Sequence, residues 1–476
     1  MPAVSAGGAP NFATLAAYVA GNHGANAILL GDITTKATGA NSVAIGNGAN
    51  ASKDDAIAFG TGATASGTNS VAIGLKSTAS GASAYALGEN AKAVGDNSVA
   101  LGADTSSNTA YGVAIGRNVS STGQSAIALG GGSATGGAAK ADGTGAIAIG
   151  SGGSSTKGAQ ATDSQAIAIG EGAKASKGQS IAIGKSAAAS QASAIAMGNG
   201  AQAKGENSIS IGTGNKVSGN NSGAIGDPSI INGANSSSAG NTNTIGSTTT
   251  DAFALGNGIY LGATSGGVDT TSVTGAVALG SSSSVTTLGG VALGQNSVAS
   301  TAAGVAGYDP KTGLSSTLTT ATWKSTLGAV SVGNGTTATR QITGVAAGTA
   351  DTDVVNVAQL KNTQTHFYSV NSTDATAGNY NNNGATGINA IAIGSGATNS
   401  QLDAIVIGTN AVANYKSGQV SIGANAFGSA NQVLLPRGTI TTINVPGGSP
   451  SNYGQAGVAI GSNAAYNATN ASGVSI

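Results

Sequence analysis

Large and small apolar residues alternate in short groups along most of the chain. In Asn-Ser-Val-Ala-Ile-Gly at residues 41–46, Val43 and Ile45 point one way and Ala44 the other, which is the period of a β-strand. Because both faces are apolar, this strand should be buried on both sides, as strands of parallel sheets are. Small residues return at Ala49 and Ala51 and are followed by turn residues, which predicts a second short strand and a turn.

The pattern has a fixed period. Its closing glycine recurs every fourteen residues from Gly46 to Gly130 and from Gly170 to Gly226, and two steps of twenty residues join Gly130 to Gly170. Hexapeptide solenoids repeat every six residues, and the Gly-Gly-x-Gly-x-Asp motif of calcium-binding β-rolls is not found. Each unit therefore predicts one coil of a parallel β-solenoid, and the longer steps predict loops that bulge from it.

A single coil cannot be stable, because ordering its backbone costs more than its few large side chains return on burial. Neighbouring coils must cover one another, and one further surface must be buried. We expect the alanine face inside a narrow roll and the valine and isoleucine face against other chains, so the protein should be an oligomer. The residues predicted for the oligomer core are Val43, Ile45, Val71, Ile73, Val99, Leu101, Ile181 and Ile183.

Composition agrees with thin, tightly packed layers. The 476 residues include 79 glycines, and 40% are hydrophobic but only 3% aromatic and 8% charged. The formal net charge of zero argues against nucleic acid or an anionic membrane as the main partner, and lysines such as Lys76, Lys92, Lys174 and Lys204 are interpreted as lying one to a connector. No apolar run is long enough for a transmembrane helix, and residues 1–10 lack the features of a signal peptide.

The sequence pattern changes near residue 304. The turn at residues 307–311 precedes Trp323, the only tryptophan, which we interpret as a packing anchor, with ligand contact as the alternative. Residues 351–361 predict a helix with Asp351 or Asp353 as N-cap and an apolar stripe that includes Leu360. Phe12 to Ala20 is mildly helical in pattern, and residues 379–383 predict a loop.

Catalytic and metal-binding patterns are scarce. The chain has two histidines, His23 and His366, and no cysteine. It therefore has almost none of the residues that a zinc site or a Ser-His-Asp triad needs. Gly184-Lys-Ser resembles the end of a phosphate-binding loop, but Gln179 stands where its first glycine should be. Asp351 and Asp353 lack a third calcium ligand. We predict no enzyme activity, no cofactor and no metal.

Two motifs resemble the YadA-like family, the trimeric autotransporter adhesins of Gram-negative bacteria. They are the head repeat at 41–46 and 69–74, with variants at 97–102 and 207–212, and the neck phrase Arg340-Gln-Ile-Thr-Gly-Val with Asp353-Val-Val-Asn-Val-Ala-Gln-Leu-Lys361. The resemblance implies a left-handed parallel β-roll, three rolls around one axis, and a neck with a short helical segment. It assigns the neck to Arg340, Asp351, Asp353, Asn356 and Leu360.

The resulting all-β organisation has six parts. They are a lead-in at 1–32, a YadA-like β-roll head at 33–303, a connector with Trp323 at 304–333, the neck at 334–361, a linker at 362–387 and a second head-like segment at 388–476. The chain departs from the family by lacking a long heptad stalk and an anchor and by carrying a second head. We therefore expect a distal fragment of a longer fibre, anchored in the outer membrane by a C-terminal region absent from this chain.

The resemblance implies a homotrimeric, non-enzymatic surface adhesin that binds extracellular matrix such as collagen, host cells, other bacteria or abiotic surfaces. The alternative is a spacer that projects a binding domain elsewhere in the fibre; a carbohydrate-cleaving solenoid is disfavoured because acidic residues do not recur on the strands. The asparagine and serine of each repeat set the turn into the strand or form a ladder of ligand contacts. The ladder would comprise Asn41, Ser42, Asn69, Ser70, Asn97, Ser98, Asn207 and Ser208.

Overall fold

A computed structural model describes residues 21–133, 136–153, 155–310, 312–363, 370, 372, 374–413, 420–428, 432–435, 457–460 and 474–475. The chain divides into two compact units within the predicted neck. The first is Met1–Val345 with Ala350–Asp353, and the second is Ala346–Thr349 with Val354–Ile476. The predicted helical stretch at 12–20 and His366 lie outside the described residues.

The first unit is a parallel β-solenoid, as predicted. Each coil gives one three-residue strand to a first sheet and one two-residue strand to a second sheet, and each strand pairs in parallel with its equivalent in the next coil, as Val43 does with Ile57. The strands of the first sheet are Ile28–Leu30, Val43–Ile45, Ile57–Phe59, Val71–Ile73, Tyr85–Leu87, Val99–Leu101, Val113–Ile115, Ile127–Leu129, Ile147–Ile149, Ile167–Ile169, Ile181–Ile183, Ile195–Met197, Ile209–Ile211, Gly223–Ile225, Ser237–Ala239, Phe253–Leu255, Val277–Leu279, Val291–Leu293 and Val330–Ser331. Those of the second sheet are Lys36–Ala37, Asn50–Ala51, Thr64–Ala65, Thr78–Ala79, Lys92–Ala93, Ser106–Ser107, Ser120–Ser121, Lys140–Ala141, Gln160–Ala161, Lys174–Ala175, Ala188–Ala189, Gln202–Ala203, Lys216–Val217, Ile230–Ile231, Thr244–Ile245, Tyr260–Leu261, Ser284–Val285 and Val298–Ala299.

Small side chains fill the interior, as predicted. Ser42, Ala44, Ala49 and Ala51 of one coil are all fully buried, because alternate residues of both sheets point inward. The narrow core continues as an almost unbroken stack of alanines up to Ala203.

The corners need backbone conformations that few residues adopt. The closing glycine Gly46 has φ +124°, and a Cβ there would lie 2.7 Å from the carbonyl of Gly60 in the next coil. At the opposite corner Asn41 has φ +56°, in the left-handed region that asparagine tolerates. The turn role predicted for the repeat asparagines is thus confirmed, with φ of +57° at Asn69, +54° at Asn97 and +53° at Asn207.

The buried side chains of the roll become larger after residue 215. Here Ile231, Ile245 and Leu261 replace alanine in the core. Asn215 and Asn243 are also fully buried, and sequence reasoning missed them. The Asn215 amide donates to the carbonyls of Ile211 and Gly226 at 2.7 and 2.6 Å, and its oxygen accepts from the Ser229 N–H at 2.7 Å, so the buried amide is satisfied.

Several described segments leave the roll and return. Two follow the twenty-residue steps, as predicted, and end where Lys140 and Gln160 begin their strands. They stack on one another, because Gly152 donates from its backbone to Gly137 O at 2.6 Å. A third excursion, residues 262–272, was not predicted and closes with an antiparallel bridge between Ala263 and Asp269.

The roll extends beyond the predicted head at both ends. Ile28–Leu30, in the predicted lead-in, pairs with Val43–Ile45, and Val330 in the predicted connector pairs with Val291. Between them in the connector, Tyr308–Asp309 and Leu314–Ser315 form an antiparallel hairpin. The head boundaries at residues 33 and 303 are therefore too narrow for the solenoid.

The second unit contains a short helix and a second parallel stack. The helix is Val357–Asn362, and its N-cap is Asn356, whose side chain accepts from the Gln359 N–H while Gln359 reaches back to the Asn356 N–H. The N-cap predicted at Asp351 or Asp353 is wrong, because this capping box starts the helix later. The strands are Ile391–Ile393, Ile405–Ile407, Val420–Ile422, Gln432–Leu435, Gly457–Ile460 and Val474–Ser475 in one sheet, and Thr398–Asn399, Val412–Ala413 and Phe427–Gly428 in the other.

Candidate functional site

The outer face of the first sheet is an apolar surface without a cover in the isolated chain. We call it the valine-isoleucine face: the first and third residues of each strand in the first sheet. Exposure reaches 50% at Phe59, 42% at Leu101 and 57% at Ile225, and the described strands of this sheet carry no charged residue. Soluble monomers rarely expose a continuous apolar strip of this length.

The predicted oligomer core lies on this face. Val43, Ile45, Val71, Val99, Ile181 and Ile183 are half-buried, and Ile73 and Leu101 are exposed. Cross-strand pairing brings them together in two columns, because Val71 aligns with Ile57 and Tyr85, and Ile73 with Phe59 and Leu87. Their role in an oligomer stays a prediction.

The asparagines of the repeat lie on the outer surface of one corner, where they form a ladder. Asn41 Nδ2 donates to Asp55 Oδ1 at 3.1 Å, and Asn207 donates to Asn221 Oδ1 at the same distance. The serines are not part of this surface. Ser42, Ser70, Ser98 and Ser208 are fully buried, and Ser42 Oγ donates to Gly39 O at 2.7 Å.

The proposed contact ladder therefore reduces to its asparagines. Each serine points into the roll because it lies two residues before the buried central residue of the strand, which is Ser210 after Ser208 and alanine after the other three. The buried hydroxyl of Ser98 has no hydrogen-bond partner among the described residues. The prediction that the serines contact a ligand is wrong, because their side chains are buried. Contact of the asparagines with a ligand stays a prediction.

The outer face of the second sheet is polar and carries a line of lysines. Lys92 and Lys174 are the first residues of their strands, so their predicted place in connectors is wrong; Lys76 and Lys204 do lie in corners. Lys92 and Lys174, together with three other lysines at equivalent strand positions, form what we call the lysine column. Its members are Lys36, Lys92, Lys140, Lys174 and Lys216, all exposed.

The third excursion lies over this sheet where the lysine column ends. Asp269 accepts hydrogen bonds from the backbone and hydroxyl of Ser247, and the hydroxyl bond in particular holds the pKa of Asp269 below its usual value. Thr244 is buried beneath the excursion. A groove of about 310 Å³ remains beside it, lined by Lys216, Ile230 and Tyr260 among others.

Arg340 of the predicted neck closes the end of the roll. Its guanidinium donates to Ser297 Oγ at 3.0 Å, to Val332 O at 2.5 Å and to Gln295 O at 2.7 Å. Trp323 is half-buried, and its carbonyl accepts from Gly307 N–H at 2.7 Å.

Of the other predicted neck residues, Asp351 and Asp353 belong to the first unit, and Asn356 and Leu360 belong to the second. Asp353 accepts from Ala350 N–H at 3.0 Å, Asp351 is exposed, and Leu360 is 64% exposed. Asn356, predicted only as a neck residue, is the helix cap.

Clusters of metal-binding side chains are absent from the part of the chain that is described. No three His, Cys, Asp or Glu side chains there lie close enough to hold a metal ion. The sequence Gly184-Lys-Ser forms a corner of the roll, where Lys185 pairs with Glu171 at 3.4 Å. Among the described helices, none is long and apolar enough to cross a membrane.

The family model for the YadA head domain repeat, in two copies, matches this coil pattern. The matched residues are 37–63, 51–77, 79–105, 93–118, 161–187, 175–201, 189–215, 203–227 and 385–411. These segments of the chain carry YadA-type head repeats. The autotransporter adhesin BadA of Bartonella henselae is 47% identical over 94 residues, which are 20% of this chain and 3% of BadA.

A solved structure is also similar to this YadA-like head. The collagen-binding domain of the Yersinia adhesin YadA is 23% identical, with a TM-score of 0.25, and the match covers 41% of this chain and 81% of that domain. The family model confirms the predicted head repeats. Their presence in 385–411 also places YadA-like repeats in the second unit.

Proposed function

We propose that this chain is a distal, non-enzymatic head of a bacterial surface adhesin that works as a homotrimer. The observation that carries the proposal is the valine-isoleucine face, which runs along the first sheet with an interruption at Gly223 and Ser237–Ala239 and needs a cover of matching length. A second copy of the same coil stack offers such a cover, because its repeat is identical. The similarity of 94 residues to the autotransporter adhesin BadA supports adhesion as the activity.

Exposed apolar residues in the neck support the same assembly. Val354, Val355, Val357 and Leu360 are each more than 60% exposed around a helix with no buried residue. So short a helix is not stable on its own. Packing of equivalent helices about a common axis would bury this cluster.

Binding would occur on the surfaces that the trimer leaves open, namely the asparagine corner, the second sheet and the excursions. Repetition along the roll and around the axis would add many weak contacts to a fibrous or extended partner. Extracellular matrix proteins such as collagen are the first partners to test, followed by host cells, other bacteria and abiotic surfaces. Such a head would lie at the bacterial cell surface, on a fibre held by the outer membrane.

Two measurements test the proposal. Sedimentation of the purified chain should give the mass of a trimer, and a folded monomer at micromolar concentration would contradict it. The intact trimer should then bind at least one of immobilised collagen, fibronectin, laminin or bare plastic. A trimer that binds none of them would favour the spacer interpretation.

A further inference from the structure

The lysine column is a line of positive charge on the second sheet, whose other described strand residues are uncharged. Its five members occupy the same outward position in strands of the second sheet, and successive strands pair in register from Lys36 to Lys216. The described strands of this sheet contain no acidic residue. Acidic residues such as Asp54 and Glu206 lie in the corners instead.

Only one member is neutralised by a neighbour. Lys140 pairs with Asp142 at 2.8 Å, whereas no ion pair is formed by Lys36, Lys92, Lys174 or Lys216 within the described residues. The positions between the lysines are mostly uncharged hydrogen-bonding side chains. These are Asn50, Thr64, Thr78, Ser106, Ser120, Gln160 and Gln202, with Ala188 as the exception.

The spacing of the column identifies the kind of anion that fits. Each coil advances by about 4.8 Å, so the gaps between successive lysines are roughly 19, 14, 10 and 14 Å. Nucleic acid carries one phosphate per about 3.4 Å of strand, which is far denser. A polysaccharide with one carboxylate per disaccharide carries sparse charges and many hydroxyl groups between them.

The end of the column also suits a sugar chain. Beyond Lys216 the same outward positions are taken by Ile230, Thr244 and Tyr260. Tyr260 is 38% exposed beside the groove under the third excursion, and an aromatic ring with a polar tip can pack against the flat face of a sugar. No aromatic residue occurs on the described strands of this sheet between Lys36 and Lys216, so successive bases would have no stacking platforms.

We propose that the outer face of the second sheet binds a linear uronic-acid polysaccharide that lies along the roll axis. The lysine column pairs with the carboxylates, and the polar residues between the lysines hydrogen-bond to the sugar hydroxyls. This surface is separate from the valine-isoleucine face and the asparagine ladder. The inference therefore does not depend on collagen binding.

The test is a binding measurement on the whole chain with hyaluronan, which has one carboxylate per disaccharide, and with neutral dextran and single-stranded DNA as competing probes. A triple variant, Lys92→Gln, Lys174→Gln and Lys216→Gln, removes three unpaired members of the column. The matched control is Lys53→Gln, Lys76→Gln and Lys204→Gln, which removes the same charge from exposed corners.

We expect the unmodified chain to bind hyaluronan but not dextran, with an affinity that falls as salt rises from about 50 to about 200 mM. The column variant should bind about tenfold more weakly with a shallower salt dependence, and the corner variant should differ by less than about twofold. Equal losses in both variants, no binding of hyaluronan, equal binding of dextran or tighter binding of DNA would each overturn the proposal. Trimer mass and collagen binding, measured on the same variants, show whether the proposed function fails independently.

Discussion

Arg340 and Ser297 lie 43 residues apart in sequence, yet the Arg340 guanidinium donates to Ser297 Oγ at 3.0 Å. The same guanidinium donates to the carbonyls of Val332 and Gln295. An arginine can satisfy several acceptors at once because its donors are fixed in a fork. At the end of the roll, the Arg340 side chain thus supplies hydrogen-bond donors where no further coil follows.

Substitution Arg340→Met should loosen that end. The variant keeps an apolar stem but leaves two carbonyls and a hydroxyl without their charged donor, at a cost of about 1–3 kcal/mol. Because coils of a solenoid contact only their neighbours, the loss should be local. Hydrogen exchange should quicken at residues 295–299 and 330–333 and stay unchanged near residue 100; uniform loss of protection would contradict this role.

Substitution Gly74→Ala should disrupt the stack of corner glycines. Gly74 has φ +129°, and its Cβ would lie 2.4 Å from Gly88 O, so we expect a loss of more than about 3 kcal/mol in the free energy of unfolding. Gly62→Ala is the matched control, because Gly62 has φ +69° and its Cβ would meet nothing closer than Lys76 Cγ at 3.6 Å. That control should cost about 1 kcal/mol, and equal melting of both variants would refute the steric explanation.

The local repeat made much of the fold predictable. Val43, Ala44 and Gly46 already specify which residue points out, which points in and where the chain turns, because strand periodicity and glycine conformation are properties of single segments. The inward position of Ser42 follows from the same alternation. Only its pairing with asparagine in the motif suggested a surface role.

Sequence reasoning missed those features of the fold that depend on residues far apart in the chain. Lys92 and Lys174 lie in one column, but two six-residue insertions between them hide the fourteen-residue count. The contact of Asp269 with Ser247 spans 22 residues and is part of no repeat. By contrast, the N-cap at Asn356 had a local signal, since Gln359 follows three residues later as a capping box requires. The earlier aspartates obscured it.

The paired substitution Ile73→Asp and Ile183→Asp tests the valine-isoleucine face. Both residues point outward from the first sheet, so the changes should leave each roll intact but place unpaired charges in an apolar interface, which is strongly unfavourable. Light scattering should then show the mass of a monomer, or a trimer that dissociates at much higher protein concentration than the unmodified chain.

The control for that pair lies in the same two coils. Thr78→Asp and Ala188→Asp add the same charges to the outer face of the second sheet. They should leave the trimer mass unchanged. If the control pair dissociates the protein and the isoleucine pair does not, the interface lies on the other sheet.

Acid should weaken the first coil through Asp32. Hydrogen bonds, chiefly from the Thr34 hydroxyl, lower the pKa of Asp32 from 3.8 to about 2, and Gly48 N–H in the next coil also donates to it at 3.1 Å. A depressed pKa means that this contribution is complete above pH 3.8 and is lost as pH falls through about 2. The stability difference between the wild type and Asp32→Asn should therefore be present at neutral pH and vanish in strong acid. A difference that stays constant with pH would show that the charge of Asp32 is not involved.

Deletion of residues 132–137 and 152–157 should remove the two stacked loops without harming the roll. Each deletion shortens a twenty-residue step to fourteen and leaves corners Gly130-Gly131-Ala138-Ala139 and Gly150-Ser151-Gly158-Ala159. The second corner has the Gly-x-Gly-Ala pattern of Gly46-Asn47-Gly48-Ala49. The Ala139 N–H already donates to Gly130 O at 2.9 Å, as Ala49 does to Gly46 at 3.1 Å, so the shortened corners keep their closing bond. We expect an unchanged trimer mass and a melting temperature within a few degrees of the unmodified chain, because the strands on either side of the loops already pair in register.

If the loops are the contact points for a matrix protein, binding to that protein falls in the deletion variant while hyaluronan binding persists. Unaltered binding of both would place adhesion on the roll itself.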